Sequence, residues 1–158
     1  MKPWTPEERR IFSEASAKSE GGDMRGALGL YRKLAKAGDA TFQHSLAYTL
    51  EAECKPPRKG EAAIWYKRAV RNGYAPSAWN LALGYAETGQ PRWQMHWLKV
   101  YARLDRKSAP RDMLEWAQTL IARRRAEEAR SYLELAAKLG ASGAKKELRK
   151  LERKARGG

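Results

Sequence analysis

A pattern of small and aromatic residues returns along the chain every 32 to 35 residues, and this recurrence restricts the fold more than any other feature. In the stretch AAIWYKRAVRNGYAPSAWNLALGY, Ala62, Tyr66 and Ala69 fall at spacings of four and three, one face of a helix. Ala27, Tyr31 and Leu34 show the same spacing 35 residues earlier; Gln94, Leu98 and Tyr101 follow 32 later, and Ala129, Leu133 and Ala136 a further 35 on. A bulky neighbour travels with each run: Leu30, Trp65, Trp97 and Tyr132. Gly38, Gly73 and Gly140 stand at one fixed offset after three of the runs, where a left-handed helix end favours glycine. The third run has Asp105 there.

The segments between these runs repeat as well. Ala78, Leu81, Ala82 and Tyr85 correspond to Gln43, Leu46, Ala47 and Leu50, to Ile11, Phe12 and Ala15, and to Pro110, Met113, Leu114 and Ala117. A repeated amphipathic unit leans on its neighbours because it cannot bury its apolar face alone. The spacing predicts nine helices, near 6–20, 23–37, 40–53, 59–72, 75–88, 91–104, 110–122, 125–139 and 142–155. Thr5-Pro6-Glu7-Glu8 supplies a capping Thr, a proline at the first helical position and an acid at the third. Pro56-Pro57 and Gly89-Gln90-Pro91 break helices where the period asks for turns. No alternating β-branched run suggests a strand. Gly26 and Gly29 fall inside the second helix, at about 1 kcal/mol each against alanine, and close approach of a neighbouring helix is the expected reason.

Length and composition agree with one soluble domain. A chain of 158 residues buries a core without staples, and the single cysteine, Cys54, permits no internal disulfide and no thiolate cage. No apolar run suggests a signal peptide or a membrane span, so a cytoplasmic location is the expectation. The chain carries 32 Lys and Arg against 18 Asp and Glu, a formal net charge of +14. Such a field concentrates acidic partners, whether nucleic acid, anionic lipid or acidic protein; it also suits a well-solvated helical surface.

Chemistry is poorly represented. His44 and His96 are the only histidines, 52 positions apart, with no carboxylates at a metal-ligand spacing, so neither a metal nor another cofactor is expected. Cys54 precedes Lys55-Pro56-Pro57 with no accompanying base and reads as an inert surface thiol. Glu7-Glu8 and Glu127-Glu128 fall in first turns of helices, where carboxylates complement the dipole. The sequence points away from an enzyme.

The stretch WYKRAVRNGYAPSAWNLALGY resembles the Sel-one-like repeat family, a branch of the tetratricopeptide-repeat solenoids. The matching residues are the Trp65-Tyr66 pair, Ala69, the helix-ending Gly73, and then Ala78, Leu81, Ala82 and Tyr85. The match is strong over 60–89 and fair over 24–54. It departs from the family over 91–122, where Asp105 replaces the glycine, Trp116 follows no family position, and the Gly-rich loop is shortened at Thr88 to Pro91. The resemblance implies a right-handed α-solenoid with helix pairs over 6–37, 40–72, 75–104 and 110–139 and a basic capping helix over 142–155. It also implies adaptor or scaffold work by binding protein. Tyr66, Ala69, Leu81, Ala82 and Tyr85 are then core.

In such solenoids the first helix of each pair lines a concave groove. Carried onto this chain, the first groove row is Arg9, His44, Trp79, Arg111 and Lys146; the second is Ser13, Tyr48, Leu83, Glu115 and Lys150; the third is Ser16, Glu51, Ala86, Gln118 and Arg153. Trp79 is off the core stripe, beside Leu83 and Tyr48, and is the expected anchor for a partner's side chain. The alternative is that it packs against the next unit. Arg9, Arg111 and Lys146 favour an acidic peptide.

The tail AKKELRKLERKAR has an apolar stripe of Ala144, Leu148, Leu151 and Ala155, as a capping helix requires. Its cations Lys145, Lys146, Lys150, Arg153 and Lys154, extended by Arg123, Arg124 and Arg125, make a nucleic-acid or anionic-lipid contact the sharper alternative. Three functions follow in order: an adaptor for a protein or acidic peptide; a binder of RNA or DNA backbone; and a neutralising, immunity-type partner of a neighbour-encoded protein. A solenoid end that stacks on a second copy is a further option.

Overall fold

The computed structural model describes residues 3–156 and is all-α, with no strand among them. It is a helical repeat: α1 (Pro6–Glu20), α2 (Met24–Lys36), α3 (Ala40–Tyr48), α4 (Lys59–Arg71), α5 (Ala75–Glu87), α6 (Pro91–Leu104), α7 (Ala109–Ala122), α8 (Ala126–Lys138) and α9 (Ala144–Arg156). Consecutive helices pack as α1 on α2, α2 on α3, α3 on α4 and α4 on α5, and then as α7 on α8 and α8 on α9. The chain divides into two compact units, one up to Leu98 and the other from Lys99 onward.

The first unit is built on alanines at the centre of the helix contacts. Ala15, Ala27, Ala35, Ala47 and Ala62 are almost fully buried in one cluster with Leu28, Tyr31, Leu46, Leu50, Trp65, Tyr66 and Leu81. A methyl group there sets a short separation between helices, and anything larger would cost about 1–3 kcal/mol in overpacking. Trp4 closes the N-terminal edge, its ring 4.4 Å from that of Phe42 and 5.1 Å from that of Phe12. In the second unit Ala109, Met113, Ala117, Leu120, Ala129, Tyr132, Leu133, Ala136 and Ala144 are buried in the same register. Of the core residues expected from the repeat, Tyr66, Ala69, Leu81 and Ala82 are buried; Tyr85 is half-buried.

Helix ends follow local rules. Thr5 caps α1 in a capping box: its hydroxyl accepts from the Glu8 N–H at 3.1 Å while its own N–H donates to the Glu8 carboxylate at 2.7 Å. After α1, α4, α5, α7 and α8 the chain turns in one way, with an N–H reaching the carbonyl five residues back at 2.8–2.9 Å. That turn needs a left-handed residue. Gly22, Gly73, Gly89 and Gly140 supply it, but after α7 the residue is Arg124, with φ 61°. Asp105, where the periodic glycine is missing, accepts from the Ser108 N–H at 2.9 Å and so begins the next turn by a side chain.

Three expectations are corrected. The helix predicted to run to 53 leaves α geometry after Tyr48, and Thr49–Glu53 form a π turn. The wider turn lets the Arg58 N–H reach back to the Leu50 carbonyl at 2.7 Å, folding the following loop beneath the helix end. That fold covers Cys54, which is buried and not a surface thiol. Gly29 has no atom within 4 Å of where a Cβ would stand, so no helix approaches it; at Gly26 the Cβ would meet the Asp23 carboxylate at 2.3 Å, the same side chain that caps α2 by accepting from the Gly26 N–H at 2.9 Å.

Three substitutions test these local features. Gly29→Ala raises stability by about 1 kcal/mol because it removes only backbone freedom. Gly26→Ala displaces the cap and falls at least about 1 kcal/mol below it, as urea midpoints will show. Arg124→Gly, relieving a left-handed side-chain residue, stabilises by about 0.5–1 kcal/mol in the same measurement.

Candidate functional site

Among the predicted groove side chains, Arg9, His44, Tyr48, Trp79 and Leu83 belong to the first unit, and Arg111, Glu115 and Lys146 to the second. In the first unit the Arg9 guanidinium donates to the Trp4 carbonyl, which ties α1 to the preceding turn. His44 is half-buried on α3. Its Nδ1 shares a hydrogen bond of 2.9 Å with the hydroxyl of the fully buried Ser77, and its ring packs 4.9 Å from Tyr74 and 5.5 Å from Tyr66. Trp79 and Leu83 are half-buried on α5, whereas Tyr48 stands 49% exposed. In the second unit Arg111 is committed within α7, to Asp112 at 2.9 Å and to Glu115 at 3.7 Å. Lys146 is exposed on α9.

Beside His44 lies a polar network with no counterpart in the prediction. The Tyr66 hydroxyl donates to the Glu51 carboxylate at 2.9 Å and accepts from the Asn80 amide at 2.9 Å. Burial pushes the phenol well above its ordinary range, so it remains a donor. Glu51, placed in the third groove row by the repeat, is thus held against a core tyrosine by the π turn that carries it. In the second unit the Tyr101 hydroxyl likewise donates to Asp112 at 2.5 Å.

One surface hollow in each unit is walled by residues of the repeat, and these two differ in charge. The hollow of the first unit, about 220 Å³, is walled by Ala63, Tyr66, Leu81 and Tyr85 and carries Glu51 and Lys59. Its charges compensate: Lys59 pairs with Glu87 at 2.9 Å and lies within electrostatic reach of Glu51. The hollow of the second unit, about 440 Å³, has an apolar floor of Ala102, Ala109, Pro110, Leu135 and Leu139. Its charged members are Lys99, Arg103 and Arg106, and none is in an ion pair among the described residues. The adjoining Asp105 is engaged by the Ser108 N–H, which holds its carboxyl below the usual range.

The other cations are arranged by helix geometry. On α9, Ala144 and Leu151 are buried, and Glu147 and Glu152 sit half-buried at the two edges of that stripe. Lys145, Lys146, Arg149, Lys150, Arg153 and Lys154 fill the exposed arc, with Lys150 reaching Glu147 at 2.8 Å. Arg123, Arg124 and Arg125 are exposed in the turn before α8, where Arg125 binds Glu128 through two bonds of 2.6 and 2.7 Å.

Sequence reasoning missed the hollow on α6–α8. The usable signal was Lys99 and Arg103, four apart on one face with Ala102 between them and no acid to match, together with Leu139 outside the core stripe. No metal-binding cluster of His, Cys, Asp or Glu occurs among the described residues, and none of their helices is long and apolar enough to cross a membrane. No protein-family model matches the chain, and no curated protein matches it either.

Burial lowers the His44 pKa from its ordinary 6.5. The unfolded chain therefore takes up this proton more readily than the folded one, and stability present above pH 6.5 is lost as pH falls below it. Denaturation midpoints taken from pH 7 down to about 5 will fall for the wild type and will fall less for His44→Asn.

Proposed function

We propose that the protein is a non-catalytic adaptor of the Sel-one-like type that binds an acidic segment of a partner protein, chiefly through its second unit. The observation that carries this reading is the unequal distribution of charge. Between Lys99 and Gly158 stand 17 basic and 8 acidic residues; the longer first unit has 15 and 10. The surplus is therefore denser in the second unit, and its field there favours acidic surfaces. Aromatic residues of the repeat are largely spent on the core, so the recognition chemistry left on the outside is cationic. The cytoplasm is the compartment in which such an adaptor, with its single cysteine, would work.

A second reading, contact with RNA or DNA backbone, rests on a different observation. The exposed arc of α9 is entirely basic, and both of its carboxylates are drawn to the edges of the buried stripe. Arg123, Arg124 and Arg125 add cations before α8, and such an array meets phosphates without reading sequence.

The two readings separate in one titration. A labelled acidic peptide of mixed Glu and Asp and a single-stranded RNA of equal length are compared by fluorescence anisotropy at about 50 and about 200 mM salt. The adaptor reading expects the peptide to be retained better at the higher salt, and expects reversal of Lys145, Lys150, Arg153 and Lys154 to Glu to weaken RNA more than peptide. RNA bound more tightly than the peptide at both salt concentrations would reverse the order of the readings.

A further inference from the structure

From the hollow on α6–α8 we infer that the second unit takes a bulky apolar side chain of its partner into that hollow while carboxylates flanking the same side chain meet Lys99, Arg103 and Arg106. The inference rests on the adaptor reading and gives it a seat and a chemistry. Three observations converge on the hollow. Its floor is apolar, formed by Ala102 of α6, Ala109 and Pro110 at the start of α7, Leu135 of α8 and Leu139 just beyond its end. Leu139 is 39% exposed, an apolar cost to a monomer that a docked side chain removes. Its volume, about 440 Å³, lies in the range of ligand sites.

The rim decides what the occupant is. Lys99 and Arg103 lie one helical turn apart on the α6 face that also carries Ala102, and Arg106 follows in the turn. No carboxylate lies within ion-pair distance of any of the three among the described residues. A purely apolar partner would leave three cations to lose water against it without compensation. A purely acidic partner would leave the floor uncovered. A segment with one large apolar residue between acids satisfies both, its apolar part giving residence and its carboxylates giving approach and register. A second copy of this chain is a poor occupant, since its +14 charge opposes the same field.

The experiment uses the full chain and three fluorescein-labelled probes: the peptide Glu-Asp-Glu-Phe-Leu-Glu-Asp-Glu, the same peptide with Ser-Ser in place of Phe-Leu, and oleate. Anisotropy is read for the wild type, for Arg103→Glu and for Leu139→Asp, each with its helical content checked by circular dichroism. The anchored peptide is expected to bind at least about tenfold more tightly than the Ser-Ser peptide. Leu139→Asp should abolish that advantage, and Arg103→Glu should weaken the anchored peptide by roughly tenfold. If a folded Leu139→Asp variant keeps the advantage, or both peptides bind the wild type equally, the hollow is not the seat, and the adaptor reading survives on charge alone. If neither peptide binds, the adaptor reading fails with it. Oleate bound more tightly than the anchored peptide, and lost in Leu139→Asp, would reassign the hollow to an anionic amphiphile and overturn the proposal. Should Leu139→Asp lose helical content, Leu139→Ser, an uncharged change at the same partly exposed position, replaces it with the same expected loss of the advantage.

Discussion

The alanines at the helix contacts set the separation on which both units depend. Where Ala27, Ala47, Ala62 and Ala129 are buried to the last few square ångströms, neighbouring helices come close enough to bury tyrosine rings from the adjoining turns. A tyrosine drawn into a core brings its hydroxyl with it, and a buried hydroxyl without a partner costs free energy. Tyr66 meets this with Glu51 and Asn80, and Tyr101 with Asp112. Close packing thus dictates where some carboxylates must go.

Helix ends make the same demand. Asp23, Asp39 and Asp105 accept from backbone N–H groups at the starts of helices or turns, and Glu8 completes the box of α1. Other acids are spent on cations: Glu61 on both Arg32 and Arg58, Glu87 on Lys59, Glu128 on Arg125. Caps and tyrosine hydroxyls together engage part of the 18 acids, and the cations, free to remain in water on their long stems, keep the outside. The basic exterior is in this sense a consequence of how the repeat is closed, and its concentration in the second unit is what structural duty does not explain.

Much of this was legible because the repeat has a period and helices have one too. Tyr66, Ala69, Leu81 and Ala82 were placed in the core by the repeat together with the resemblance it carries, and the glycine turns after α4 and α8 by a fixed offset. The misreadings share a cause. Each depended on what stands across space from a residue, which no periodicity reports. The π turn at Thr49 leaves the Leu50 carbonyl to the Arg58 N–H, eight residues away, and Gly26 is small because Asp23 folds over it. The surroundings of the candidate site were not legible for the same reason: His44, which the resemblance puts in the first groove row, shares a hydrogen bond through its Nδ1 with Ser77, 33 residues on.

Charge by itself attracts many partners and retains few of them. A field of this size raises encounter rates with any acidic surface, and salt weakens it without regard to which surface that is. Discrimination needs a contact whose strength depends on shape and on the removal of water. In the first unit the hollow has such walls but spends its charges on itself, Lys59 against Glu87 and Glu51 against Tyr66. In the second unit the walls and the unspent charges coincide, at the junction of α6, α7 and α8. Coincidence of the two is what converts attraction into choice, because a partner matched to only one of them leaves either dry cations or wet leucines behind.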